Sequence, residues 1–201
     1  NNIELICPSQ LQPLKRIQKL DVSGNPLKVF PDVTPLAATL DLLEVVAVGL
    51  TSVPRHLIEP LTKLVTLNLS GNKLTVVPEM FLSGNSELEN LLLDYTDINN
   101  LKKFQEQAVS SGVETKVGPL PQFCPTKPIN LSLTGSRFAA CACDNSWVKL
   151  PGCNVTVTVD DVTCPGAAKP WSQMSYEELN LVCVSTQQTV PSVNNMGKKQ
   201  F

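Results

Sequence analysis

The sequence predicts an α/β solenoid in which short parallel strands line a concave face, the convex side is mostly irregular, and a disulfide-bonded unit closes the C-terminal end. Three observations predict it. An apolar pattern returns every 23 or 24 residues, six of the seven cysteines lie beyond residue 123, and 42% of the 201 residues are hydrophobic, enough to bury a sizeable core. Sixteen basic residues stand against 18 acidic ones, a net charge of −2. No positive surplus is left to neutralise a phosphate backbone, so nucleic acid is not an expected partner. No stretch approaches the roughly 20 apolar residues that a membrane helix needs. The most apolar segment, Leu42 to Leu50, is short and interrupted by Glu44.

The repeat is clearest in Leu64-x-x-Leu67-x-Leu69-x-x-Asn72-x-Leu74-x-x-Val77-Pro78. The frame returns downstream at Leu88, Leu91, Leu93, Thr96, Ile98 and Leu101, and upstream at Leu40, Leu43, Val45, Val48, Leu50, Val53 and Pro54. It fits again at Ile17, Leu20, Val22, Asn25, Leu27, Phe30 and Pro31. Starts at 17, 40, 64 and 88 fall within the roughly 20 to 29 residue period of leucine-rich repeats. In x-Leu-x-Leu-x the leucines share one face of a short strand, and each repeat stacks its strand in parallel on the last.

An asparagine after the strand can turn its amide inward and bond backbone groups of adjoining turns. That ladder reads Asn25, Val48, Asn72, Thr96. Val48 can neither donate nor accept through its side chain, so the second repeat should have a loosened turn or one satisfied by a neighbour or water. Projected backwards, Asn1-x-Ile3-x-x-Ile6 and Leu11 align with Asn72-x-Leu74-x-x-Val77 and Leu82, so a partial repeat fills 1–16. The expectation is that residues precede Asn1; the alternative is a degenerate cap. After Leu101, Phe104 and Ala108 suggest a helix to about Ser110, a degenerate strand follows at Val113 to Val117, and prolines make 102–128 an irregular joint. Residues 129–183 hold the last expected strand, Ile129 to Leu133, and a cysteine-rich cap, while 184–201 read as a tail or linker.

Residues between the core leucines point out of the concave sheet in three columns. The central one is Asp21, Glu44, Asn68, Leu92. Lys19, Leu42, Thr66 and Asn90 flank it on one side, and Ser23, Val46, Ser70 and Asp94 on the other, with Tyr95 close by. Leu42, Val46, Leu92 and Tyr95, rimmed by Asp21, Glu44 and Asp94, are candidates for a ligand-binding patch. A glycan on Asn68 would sit in its middle and argue against it. Sequons occur at Asn68, Asn130 and Asn154.

No catalytic residues are assigned. His56, the single histidine, has no nucleophile obviously near it, Asp160 and Asp161 read as solvated or turn-capping, and no phosphate loop or EF-hand occurs. No metal or other cofactor is expected, because zinc would usually need two C-x-x-C knuckles or nearby histidines. The cysteines therefore read as disulfides, and with the sequons they place the chain outside the cell.

Phe138-Ala139-Ala140-Cys141-Ala142-Cys143-Asp144, Trp147, Cys164 and Cys183 resemble the cysteine-rich C-terminal cap of extracellular leucine-rich-repeat proteins. Val159 to Cys164 and Leu179 to Cys183 are similar to caps of Toll-like receptor ectodomains. The resemblance implies Cys141–Cys164 and Cys143–Cys183 pairs, and a Trp147 that fills the cap core. Cys124 and Cys153 are extra to that pattern and are candidate partners for each other. Cys7 is left odd: buried and inert, paired upstream, or bridging to another chain. The function the resemblance implies is a non-catalytic ectodomain of an innate-immune receptor that recognises a protein or lipid-bearing ligand, with dimerisation open. A secreted binder or inhibitor, or an adhesion or matrix module, is the alternative.

Overall fold

In the computed structural model the described residues are 1–77, 85–99, 101, 127–142, 145, 148–149 and 152–187, with the side chains of 180 and 183–187 excepted. Six strands make one sheet in chain order: β1 (Lys19–Asp21), β2 (Leu42–Glu44), β3 (Thr66–Asn68), β4 (Asn90–Leu92), β5 (Ile129–Ser132) and β6 (Val155–Thr158). All neighbours pair in parallel. The convex side carries single turns of helix, α1 (Pro8–Leu11), a 3-10 turn at Thr34–Leu36 and α2 (Arg55–Ile58), whose Leu11, Leu36 and Ile58 point inward. A second 3-10 turn, Trp171–Gln173, and α3 (Tyr176–Gln187) belong to the cap.

The register Leu20, Leu43, Leu67, Leu91, Leu131, Val157 stacks one core residue per repeat. Leu43 and Leu67 are fully buried, whereas Leu20 is only half-buried, because β1 pairs with β2 alone and forms the sheet edge. Ile3, Leu5 and Leu14 are also exposed at that end. The partial repeat packs on the first full one through Ile3 N–H, which donates to Asn25 Oδ1 at 3.0 Å, and Lys28 N–H, which donates to the Glu4 carbonyl at 3.2 Å.

The ladder spans repeats as its chemistry requires. Asn72 accepts at Oδ1 from the N–H of Val48 (3.2 Å) and of Leu50 (3.0 Å), and donates to the carbonyls of Val45 (2.6 Å) and Leu69 (2.8 Å). The turn at Val48 is therefore satisfied by its neighbour rather than loosened. The consequence of Val48 falls one repeat earlier. Leu27 N–H, which stands where Leu50 and Ile3 stand in their own turns, bonds instead to the Asn25 carbonyl at 2.8 Å. Thr96 donates to the Leu93 carbonyl at 2.8 Å, closing its own turn.

Two features of the C-terminal part differ from the sequence reading. The Ile129 to Leu133 strand is not the last, since β6 continues the sheet into the cap. The tail expected from 184 begins as helix, because α3 runs through Gln187. Ser175 and Glu178 form a capping box at its start: Ser175 N–H donates to Glu178 Oε2 at 2.7 Å, and Glu178 N–H to Ser175 Oγ at 3.3 Å. Trp171 is buried in the cap, with Lys149 Nζ 4.1 Å above its ring. Trp147, the expected 104–110 helix and the 113–117 strand lie outside the described residues. Buried Asn145 ties the cap to the repeats, accepting from Leu101 N–H and donating to the Ala139 carbonyl, both at 2.8 Å.

Candidate ligand-binding face

Strand register aligns Lys19, Leu42, Thr66, Asn90, Asn130 and Thr156 in one outward column, and Asp21, Glu44, Asn68, Leu92, Ser132 and Thr158 in the next. The third column, Ser23, Val46, Ser70 and Asp94, follows the strands, where Gly24 N–H bonds the Val46 carbonyl and Gly71 N–H the Asp94 carbonyl. A parallel sheet with strands about 4.8 Å apart sets these side chains on a regular grid.

The apolar candidates do not form one continuous patch. Leu42 of β2 and Val46 just after it lie on either side of Glu44, whereas Leu92 leaves β4, and Asn68 of β3 lies between. Asn68 Nδ2 donates to Glu44 Oε1 at 3.4 Å across that gap. Leu42, Val46 and Leu92 are each half-buried. Part of the third column is occupied with joining the repeats. Ser23 Oγ accepts from Val46 N–H at 3.0 Å, and Ser70 Oγ from Asp94 N–H at 3.2 Å. Asp94 Oδ1 accepts from Ser132 Oγ at 2.6 Å and from Thr134 N–H at 2.8 Å. Asp21 Oδ1 accepts from Ser23 N–H at 2.9 Å, and its bonds to Ser23 hold its carboxyl below the ordinary value.

Tyr95 is exposed, at 70%. It sits at φ 54°, a left-handed conformation that an aromatic residue rarely adopts. One side of its ring lies on Gly135, where a built Cβ would overlap it. Gly135 N–H donates to Asp160 Oδ2 at 2.8 Å. Neither contact was visible in the repeat frame, because Gly135 follows β5 and Asp160 follows β6, both beyond the regular pattern.

Of the three sequons, Asn68 is half-buried, whereas Asn130 and Asn154 are exposed. Asn130 stands in the same outward column as Leu42 and donates to Asn90 Oδ1 at 3.0 Å. Cys141 and Cys164 are joined by a disulfide with Cα atoms 5.4 Å apart. Cys153 is also disulfide-bonded, while Cys124, Cys143 and the side chain of Cys183 lie outside the described residues. Cys7 is a free, exposed thiol at the start of α1, which corrects the buried alternative considered for it. Among the described residues no cluster of three His, Cys, Asp or Glu could hold a metal ion. No described helix is long and apolar enough to cross a membrane.

Residues 38–98 match the family model described as leucine rich repeat. No curated protein matches the chain. The match spans the second and third repeats and enters the fourth, and the parallel sheet carries the same architecture to both sides of it. The fold is a leucine-rich-repeat solenoid with a disulfide in its C-terminal region. Folds of this class serve typically as non-catalytic protein-interaction modules, holding side chains on an extended concave surface.

Proposed function

We propose that this chain is an extracellular, non-catalytic recognition module of the Toll-like receptor kind, which binds a protein ligand through its concave face. One observation carries the reading. The six-strand register fixes the outward side chains of every repeat on a single preorganised grid, so a partner meets a surface that needs little ordering on binding. The Cys141–Cys164 bond and the bonded state of Cys153 support an oxidising compartment.

The test is to immobilise the chain, isolate a bound extracellular protein, and measure its affinity for Leu92→Asp and Val46→Asp beside the exposed α2 variant His56→Ala. The proposal expects both concave substitutions to weaken binding by roughly tenfold or more, with secretion unchanged and His56→Ala silent. Unchanged affinity in both concave variants overturns it.

A further inference from the structure

The three outward columns, the third continued through Thr134 and Asp160, carry four carboxylates, Asp21, Glu44, Asp94 and Asp160, against one cation, Lys19. Among the described residues none of the four acids is in an ion pair. Glu44 meets only the Asn68 amide, and Asp94 only hydroxyl and N–H donors. The cation closest in sequence to Gly135, Arg137, is directed to Asp97 at 3.3 Å. The face therefore presents negative charge that no described cation pairs with.

At the C-terminal end of this face, one glycine seats both a ring and a carboxylate. The Tyr95 ring rests on Gly135, and Asp160 Oδ2 accepts from the N–H of the same residue at 2.8 Å. Standard backbone dimensions then hold the ring edge and the carboxylate oxygen within about 8 Å of each other. The ring is covered on the Gly135 side, and Tyr95 as a whole remains 70% exposed.

Resting on the concave-face reading above, we propose that Tyr95, Gly135 and Asp160 form a seat for an arginine side chain on a basic segment of the protein partner. The planar guanidinium lies on the open face of the ring, where the quadrupole attracts a cation, and its N–H groups reach the Asp160 carboxylate. Arginine suits the seat better than lysine because its flat, weakly hydrated head can stack and donate at once. The remaining carboxylates favour further basic residues along the partner and steer its approach.

The test is an NMR titration of the full isotopically labelled chain with the peptide acetyl-Gly-Arg-Gly-Arg-Gly-amide, and with the same peptide carrying citrulline for arginine. The proposal expects saturable shifts at the Gly135 amide and the Tyr95 ring with the arginine peptide. Citrulline, Tyr95→Leu and Asp160→Asn should each weaken binding by roughly threefold or more, while Tyr95→Phe retains it. Equal binding of the two peptides, or no response at Gly135, overturns the seat. Measured on the isolated partner, Leu92→Asp separates the two readings. If Leu92→Asp weakens the partner and Asp160→Asn and Tyr95→Leu do not, the seat fails and concave recognition stands; if none of these and not Val46→Asp weakens it, both fail.

Discussion

Tyr95 lays its ring on Gly135, the residue that holds the same turn position one repeat further along the solenoid. Gly24, Ala47, Gly71, Tyr95 and Gly135 all occupy this turn, with φ of 64°, 52°, 70°, 54° and 66°. A side chain here leans on the next turn. The Ala47 methyl lies 3.3 Å from where a Cβ on Gly71 would stand, and the Tyr95 ring fills that place at Gly135. Gly24, by contrast, has open space beside it.

Two substitutions separate conformation from contact at this turn. Gly24→Ala should destabilise by about 1 kcal/mol through its positive φ alone. Gly135→Ala adds an overlap with the Tyr95 ring and should exceed it by about 1 kcal/mol or more. Denaturant unfolding measures both. In a Tyr95→Ala background the excess at Gly135 should disappear, because the two residues act as one coupled pair.

Asn72 is the polar residue on which the ladder depends most. Asn72→Ala leaves the N–H of Val48 and Leu50 and the carbonyls of Val45 and Leu69 without this partner in the buried interior. The expected loss is about 3 kcal/mol or more. Asn25→Ala should lose less, because its cross-repeat bond is the single one from Ile3, at the exposed end of the sheet. Equilibrium unfolding of both variants checks the order.

Acid should weaken the start of α3 through Glu178. The hydrogen bond from Lys169, at 2.8 Å, and the Ser175 N–H hold its carboxyl below the ordinary 4.5. A depressed carboxyl favours the folded state above its unfolded pKa, and that contribution is lost as pH falls below 4.5 through the folded value. Unfolding followed by tryptophan fluorescence between about pH 5 and pH 2 should show a shallower acid dependence for Glu178→Gln than for the parent chain.

Much of the fold was legible because the repeat is stated in leucines. Leu43, Leu67 and Leu91 fell in one register column, as the x-Leu-x-Leu-x frame requires, and the same frame set the outward columns that flank them. Hydrophobic periodicity reports burial one strand at a time, however, and says little about bonds between turns. So the shift of Leu27 N–H to its own turn, caused by Val48, was not visible in the pattern. Strand β6 was missed because valine alternating with threonine, Val155 to Thr158, carries no leucine and lies after the irregular joint.

The candidate site was legible in its columns and not in its contacts. Leu42, Val46 and Leu92 are outward in sequence and in structure, but which strands separate them depends on register. Asp94 reads as a free rim carboxylate in sequence and proves to bind Ser132 and Thr134 across 38 and 40 residues. Trp171, which the sequence reading did not single out, is buried in the cap, because the closing of that core depends on chain packing after Cys164.

The most direct measurement of the central claim is hydroxyl-radical footprinting of the full chain, alone and bound to its isolated partner, read at individual side chains. Concave recognition predicts protection at Leu42, Leu92 and Tyr95, with His56 on α2 and Leu181 on α3 reacting as before. Protection at His56 or Leu181 with Leu92 and Tyr95 unchanged would contradict it and move the binding surface to the convex side or the cap.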